Sequence, residues 1–256
     1  MFDRTHIIYM IVSAIITIVL LVLAGLFVKK EKYQLLIIRS LAIITVGLHF
    51  SDLYVQFFQT GTATVASVQL LPIYPCNIMM WLLLIGAFIK NRDHKIAKIL
   101  LEFTFYAGIL CGILGIVLNE NYDSNPTLTD WFVLKGLLSH STMVMGCIYI
   151  LVARFIKIRV SNCFSIFCGL ILFIVDGLII NGLYLVFGLG ECNSMYLQSP
   201  PFPAAPWFSQ WLMGLIGLAL AFVITVVYEQ IALPPAERWY TRLKNRQQLK
   251  GETKNA

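Results

Sequence analysis

Long apolar runs, separated by short polar segments, fill this chain of 256 residues from end to end. A helix that crosses a bilayer needs about 20 consecutive, mostly apolar residues. Seven stretches meet that requirement: 7–28, 35–58, 69–90, 97–118, 131–154, 162–189 and 206–231. No strand-like alternation and no internal repeat lies between them. The pattern predicts an all-α fold, a polytopic seven-transmembrane-helix bundle over residues 1–233, followed by a polar, basic tail at 234–256. The first run, Ile7 to Val28, outlasts a signal-peptide core and has no small-residue cleavage pattern before Lys29-Lys30, so it reads as a retained membrane helix.

One run carries a break. Leu70-Leu71-Pro72-Ile73-Tyr74-Pro75-Cys76-Asn77 opens the third stretch. Pro75 has no N–H to donate, and Pro72 turns Leu71 away from the helical region. The segment before Cys76 is therefore expected to be unwound, with Cys76 near the start of a half-helix. The longest polar connection, Gly188 to Pro206, holds Pro200, Pro201, Pro203 and Pro206. A stiff loop of that length suits a lid, with Asn193 and Tyr196 as its candidate residues.

Composition agrees with a membrane protein. Hydrophobic residues make up 59% and charged residues only 12%, against about 25% charged in soluble domains. The net charge of +6 is not a nucleic-acid signal here. Sixteen of the 19 basic residues fall on alternate connections: Lys29, Lys30, Lys32; Lys90, Arg92, Lys95, Lys98; Arg154, Lys157, Arg159; and six in the tail from Arg238. The other connections carry Glu120, Asp123, Asp130 and Glu191. The positive-inside rule then places the N-terminus outside and the tail in the cytoplasm, with basic loops against the anionic leaflet of the cell membrane. Trp131, Trp207 and Trp211 fall at outer helix ends, where indole rings settle. The six cysteines form no C-x-x-C pair, and no metal cluster or nucleotide motif is present, so no metal and no cofactor is expected.

Ionisable groups at membrane depth face the bundle interior and are candidate functional residues. They are Arg39, His49, Asp52, Glu102, Lys135, His140, Asp176 and Glu229. Counting from the nearest basic boundary residue gives their height. Cys76 is 14 residues from Lys90 and His140 is 14 from Arg154, about 21 Å along a helix. His49 and Asp176 are each 17 residues up, about 25 Å. Asn77, Asp52 and Asn181 lie close to this layer. Arg39, Glu102 and Glu229 sit nearer the basic boundary and Lys135 nearer the other, where snorkelling or structural ion pairing accounts for them. A thiol becomes a nucleophile when a neighbouring imidazole takes its proton. Cys76 with His140 could supply that pair, Asp176 or Asp52 could orient the imidazole, and Asn77 could hold an oxyanion. At this depth the reachable substrate is a lipid acyl ester.

The segment Leu71-Pro72-Ile73-Tyr74-Pro75-Cys76, the pair Ser139-His140 and the loop Cys192-Asn193-Ser194-Met195-Tyr196-Leu197-Gln198-Ser199-Pro200 resemble the YwaF-type bacterial membrane proteins, the bacterial branch of the transmembrane protein 164 family. The resemblance spans most of the chain. It implies a membrane-embedded acyltransferase that works on phospholipid acyl chains with Cys76 as nucleophile and His140 as base. The chain departs from the family pattern at Tyr74, where many bacterial members carry His, and at Ser194, where the loop usually carries Tyr. The leading expectation is thus a phospholipid acyltransferase or transacylase, with Asp176 or His49 tuning His140. The alternative is a transporter or receptor-like bundle in which His49, Asp52, Asp176 and His140 line a proton or cation path.

Overall fold

In the computed structural model, residues 2–61, 71–200, 206–207 and 209–252 are described. They form α1 (Arg4–Phe27), α2 (Glu31–Tyr54), α3 (Pro75–Phe88), α4 (Lys95–Val117), α5 (Glu120–Ser124), α6 (Trp131–Val152), α7 (Cys163–Phe187), α8 (Gln210–Ala232) and α9 (Trp239–Glu252). A π-helical turn, Val55–Thr60, extends α2. No strand occurs among the described residues. Six helices among them are long and apolar enough to cross a membrane: Arg4–Phe27, Glu31–Phe58, Lys95–Ser124, Trp131–Val152, Val160–Phe187 and Trp211–Ala232. The chain is a multi-pass, all-α membrane protein.

The stretch expected at 69–90 is shorter as a helix than its apolar run. Residues 69 and 70 lie outside the described residues. Leu71 to Tyr74 carry no helix, and α3 begins only at Pro75. Its 14 residues span about 21 Å, short of the hydrocarbon core. The reason is covalent: Pro75 occupies the first helical position, where its missing N–H costs nothing, and Tyr74 caps it in an extended conformation.

α6 is the central helix. It packs against α1, α2, α3 and α4, and twelve of its residues are buried. α4 approaches it along Gly108, Gly112 and Gly115. A Cβ at these positions would stand 2.3 Å from Cys147 Sγ, 2.4 Å from Val144 Cγ2 and 2.1 Å from the His140 ring. Small residues one turn apart are how membrane helices come close, since lipid supplies no hydrophobic drive between them. α1 is the opposite case. It buries only His6, Thr17 and Leu21 and turns Ile7, Ile8, Ile11, Ile15 and Ile18 outward, as a lipid-facing helix does. Its polar ties point inward: Tyr9 Oη and Ser13 Oγ each lie 2.9 Å from Ser141 Oγ.

The basic end is stitched by the ionisable groups placed there. Arg39 donates from Nε to the Ala87 carbonyl, 3.3 Å away, at the end of α3. Glu102 accepts from Asn162 Nδ2 at 2.7 Å and from Ser165 Oγ. Glu229, fully buried, accepts from the Val160 and Trp239 backbone N–H groups, both at 2.7 Å, and from Arg242 at 3.3 Å. It ties α8 to the start of α7 and to α9. Glu229→Leu orphans two N–H donors and one guanidinium, so a loss of about 3 kcal/mol is expected, read as a lower melting temperature of the purified protein. An unchanged melting temperature would show that this joint is dispensable.

Candidate functional site

Cys76 is the second residue of α3, so the break in the third apolar run fixes its position. Its Sγ lies 3.3 Å from Asn77 Oδ1, with the thiol donating. Asn77 is buried at 4% exposure, and its Nδ2 has no hydrogen-bond partner. The amide therefore accepts from the thiol on one side and keeps an unused donor on the other.

His140 reaches the same region from α6. Its Nδ1 lies 2.7 Å from the Gly136 carbonyl. A carbonyl only accepts, so Nδ1 carries the proton and the neutral ring presents Nε2 as an acceptor. Nε2 is buried and has no hydrogen-bond partner. The ring lies against the bare backbone of α4 at Gly115, where a Cβ would stand 2.3 Å from Nε2. The backbone thus sets both the tautomer and the seat of the imidazole.

A cavity of about 600 Å³ joins these groups. Cys76, Asn77, His140 and His49 all line it, with Tyr74, Cys111, Gly115, Ser139 and Lys135. Both groups open onto that cavity, and no hydrogen bond joins them: the thiol donates to Asn77, and Nε2 is unmade.

The loop after α7 closes one side of the cavity. Ser194–Tyr196 forms a single 3-10 turn that folds back onto the segment before α3. Met195 N–H and Ser194 Oγ both donate to the Ile73 carbonyl, at 2.8 and 3.1 Å. The Tyr74 and Tyr196 rings lie 5.6 Å apart, and both line the cavity. Met195 and Tyr196 each have φ near +54°, a left-handed conformation that non-glycine residues rarely hold. Burial keeps it. Met195 is fully buried, and a Cβ on Gly177 would stand 3.0 Å from its own.

The sequence model of the TMEM164 family matches residues 1–228. The chain belongs to the TMEM164 family. No curated protein and no solved structure matches it. In this TMEM164-family chain Tyr74 and Ser194 meet at one joint: Ser194 Oγ donates to the carbonyl of Ile73, the residue before Tyr74.

The remaining sequence candidates divide. His49 lines the cavity, its ring edge-on to Phe50 at 5.1 Å. Asp52 does not orient His140; it forms an ion pair with Lys135. Asp176 shares the height of His49 but lies outside the cavity lining, half-buried on α7, and its Oδ2 has no partner. Height along a helix carries no azimuth, and that is why a carboxylate was expected where the Gly136 carbonyl stands. Asn181 anchors the loop: its Oδ1 accepts from Ser194 N–H at 2.7 Å. Asn193 closes the loop on itself, accepting from Gln198 and Ser199 N–H groups at 2.9 and 3.2 Å, and is not part of the cavity wall. Among the described residues, no cluster of His, Cys, Asp or Glu could hold a metal ion.

Gly115 carries no candidate role in the sequence, and Lys135 reads there as a snorkelling or ion-paired residue. Both left a signal. Gly108, Gly112 and Gly115 follow the four- and three-residue steps of one helix face. Asp52 is 20 residues from Lys32 and Lys135 is 19 from Arg154, so the same ruler sets the pair at one height.

Proposed function

We propose that this chain is a membrane-embedded acyltransferase or transacylase acting on phospholipid acyl esters, with Cys76 as nucleophile and His140 as base. The observation that carries the reading is a buried imidazole with its acceptor nitrogen unmade, on the wall of the same cavity as a thiol at a helix start. His140 Nε2 takes the Cys76 proton. The thiolate attacks the ester carbonyl, and the Asn77 Nδ2–H donates to the developing oxyanion. The lysolipid oxygen leaves with the proton from His140, and the acyl chain remains as a Cys76 thioester. An acceptor hydroxyl then gives its proton to Nε2 and attacks the thioester, which restores the thiol once the proton returns to sulfur.

In this reading the chain spans the cell membrane seven times, α3 with the extended Leu71–Tyr74 segment completing the third crossing. The N-terminus is outside, the basic tail is cytoplasmic, and the basic loops contact the anionic leaflet. The loop motif supports a place beside the bacterial YwaF-type branch. A proton or cation path draws less support, because Asp52 is ion-paired and Asp176 stands outside the cavity lining. The test uses purified protein in liposomes of acyl-labelled phospholipid with a lysolipid acceptor. Label appearing in the acceptor supports the reading; label that stays on the donor, with protein folded, removes it.

A further inference from the structure

Lys135 is the formally charged residue of the cavity wall; the other lining residues are apolar, polar-neutral or histidine, and no carboxylate lines it. Its exposure is 6%. Buried lysines need a compensating partner, and Asp52 provides it. An ammonium has three donors, and among the described residues Lys135 Nζ spends one, on Asp52. Two of its donors are left over, on a residue that lines the cavity. Asn119 and Asn121 line the same end, and the Asn119 amide packs 3.2 Å from where a Gly136 Cβ would stand. Asn119 is itself held by the Gly115 carbonyl at 3.3 Å and the Tyr122 N–H at 2.9 Å. Leu114, Leu118 and Met213 supply apolar wall.

A cavity with ammonium donors at one end, apolar wall beside them and a thiol suits a phosphate-bearing amphiphile. We infer that Lys135 is the specificity-determining residue that binds the phosphodiester of a glycerophospholipid and so brings an ester carbonyl to Cys76. Lys135 precedes His140 by five residues of α6, about 7.5 Å of rise, a separation on the scale of the glycerol unit between phosphate and ester. The height agrees: Lys135 stands nearer the boundary, where a headgroup rests, and His140 stands deeper, beside the chain. The Asp52 pair compensates the buried ammonium and fixes its direction. The inference rests on the lipid-substrate reading above, but it concerns binding, not turnover.

The test is native mass spectrometry of delipidated protein with added phosphatidylglycerol or with diacylglycerol of the same chains. Lys135→Met alone leaves Asp52 buried and unpaired, so the informative variant is Lys135→Met with Asp52→Leu, which removes both charges. Its phosphatidylglycerol affinity is expected to fall about tenfold, the loss of a charge-assisted hydrogen bond, with diacylglycerol affinity unchanged and Lys135→Arg close to wild type. An equal fall for both lipids makes the pair structural and overturns the inference, as does no fall for either. Glycerol phosphate binding as tightly as the lipid would reassign the site to a free phosphate ester. A chain that shows the selective loss yet transfers no acyl group would leave this inference standing and remove the acyltransferase reading.

Discussion

Cys76→Ala is expected to abolish acyl transfer, a loss on the order of 10⁴-fold or more, while the melting temperature stays close to wild type. Nucleophilic catalysis splits one hard step into two easier ones, and no other group inherits that path when the thiol is gone. The fold tolerates the change for a local reason. Cys76 is only part-buried, and its bond to Asn77 Oδ1 is a weak sulfur contact at 3.3 Å. Cys111 is the necessary control, since it lines the same cavity from α4. Transfer that survives Cys76→Ala and disappears with Cys111→Ala would move the nucleophile to α4. Single-turnover transfer of labelled acyl chain is the measurement.

Gly115→Ala is the second large effect, and it acts through His140 without removing any reacting atom. The new methyl would stand 2.1 Å from the ring, so the imidazole must swing away or α4 must part from α6. A misplacement of about 1 Å in a catalytic group costs on the order of 100-fold in rate. Gly108→Ala separates this from general overpacking. Its methyl meets Cys147 Sγ at 2.3 Å, on the same helix face but outside the cavity lining. Both variants are expected to lose about 1–3 kcal/mol of stability; only Gly115→Ala loses the specific rate of the folded fraction. Equal rate losses in the two would mean that helix packing, not the seat of the imidazole, sets activity. His140→Gln gives the reference, an expected fall of about 10²–10⁴-fold for removal of a general base.

The sequence made the helices legible because lipid leaves the backbone few choices: each crossing needs a long apolar run with its hydrogen bonds closed internally. It also made the proline break legible, since Pro72 and Pro75 act through covalent geometry that no packing reverses. The length of α3 was less so, because apolar composition continues through Leu71–Tyr74 where helix does not. The depth ruler brought Cys76, His140 and His49 to one cavity but equally admitted Asp176, which the azimuth of α7 carries elsewhere. The orienting partner of His140 was hidden for a different reason. Gly136 acts through its carbonyl, and a main-chain acceptor leaves no residue type to recognise. The role of the loop was visible only as a motif: that Ser194 and Met195 both donate to the Ile73 carbonyl follows from tertiary closure over more than a hundred residues.

The central claim is a covalent acyl-enzyme on α3. The direct measurement is mass spectrometry of the protein incubated with phospholipid and no acceptor, followed by peptide mapping. A hydroxylamine-labile adduct of one acyl chain on the peptide holding Cys76, absent from Cys76→Ala and weak in His140→Gln, is the predicted result. Acyl transfer that proceeds with no adduct at Cys76, or with the adduct on Cys111, contradicts it.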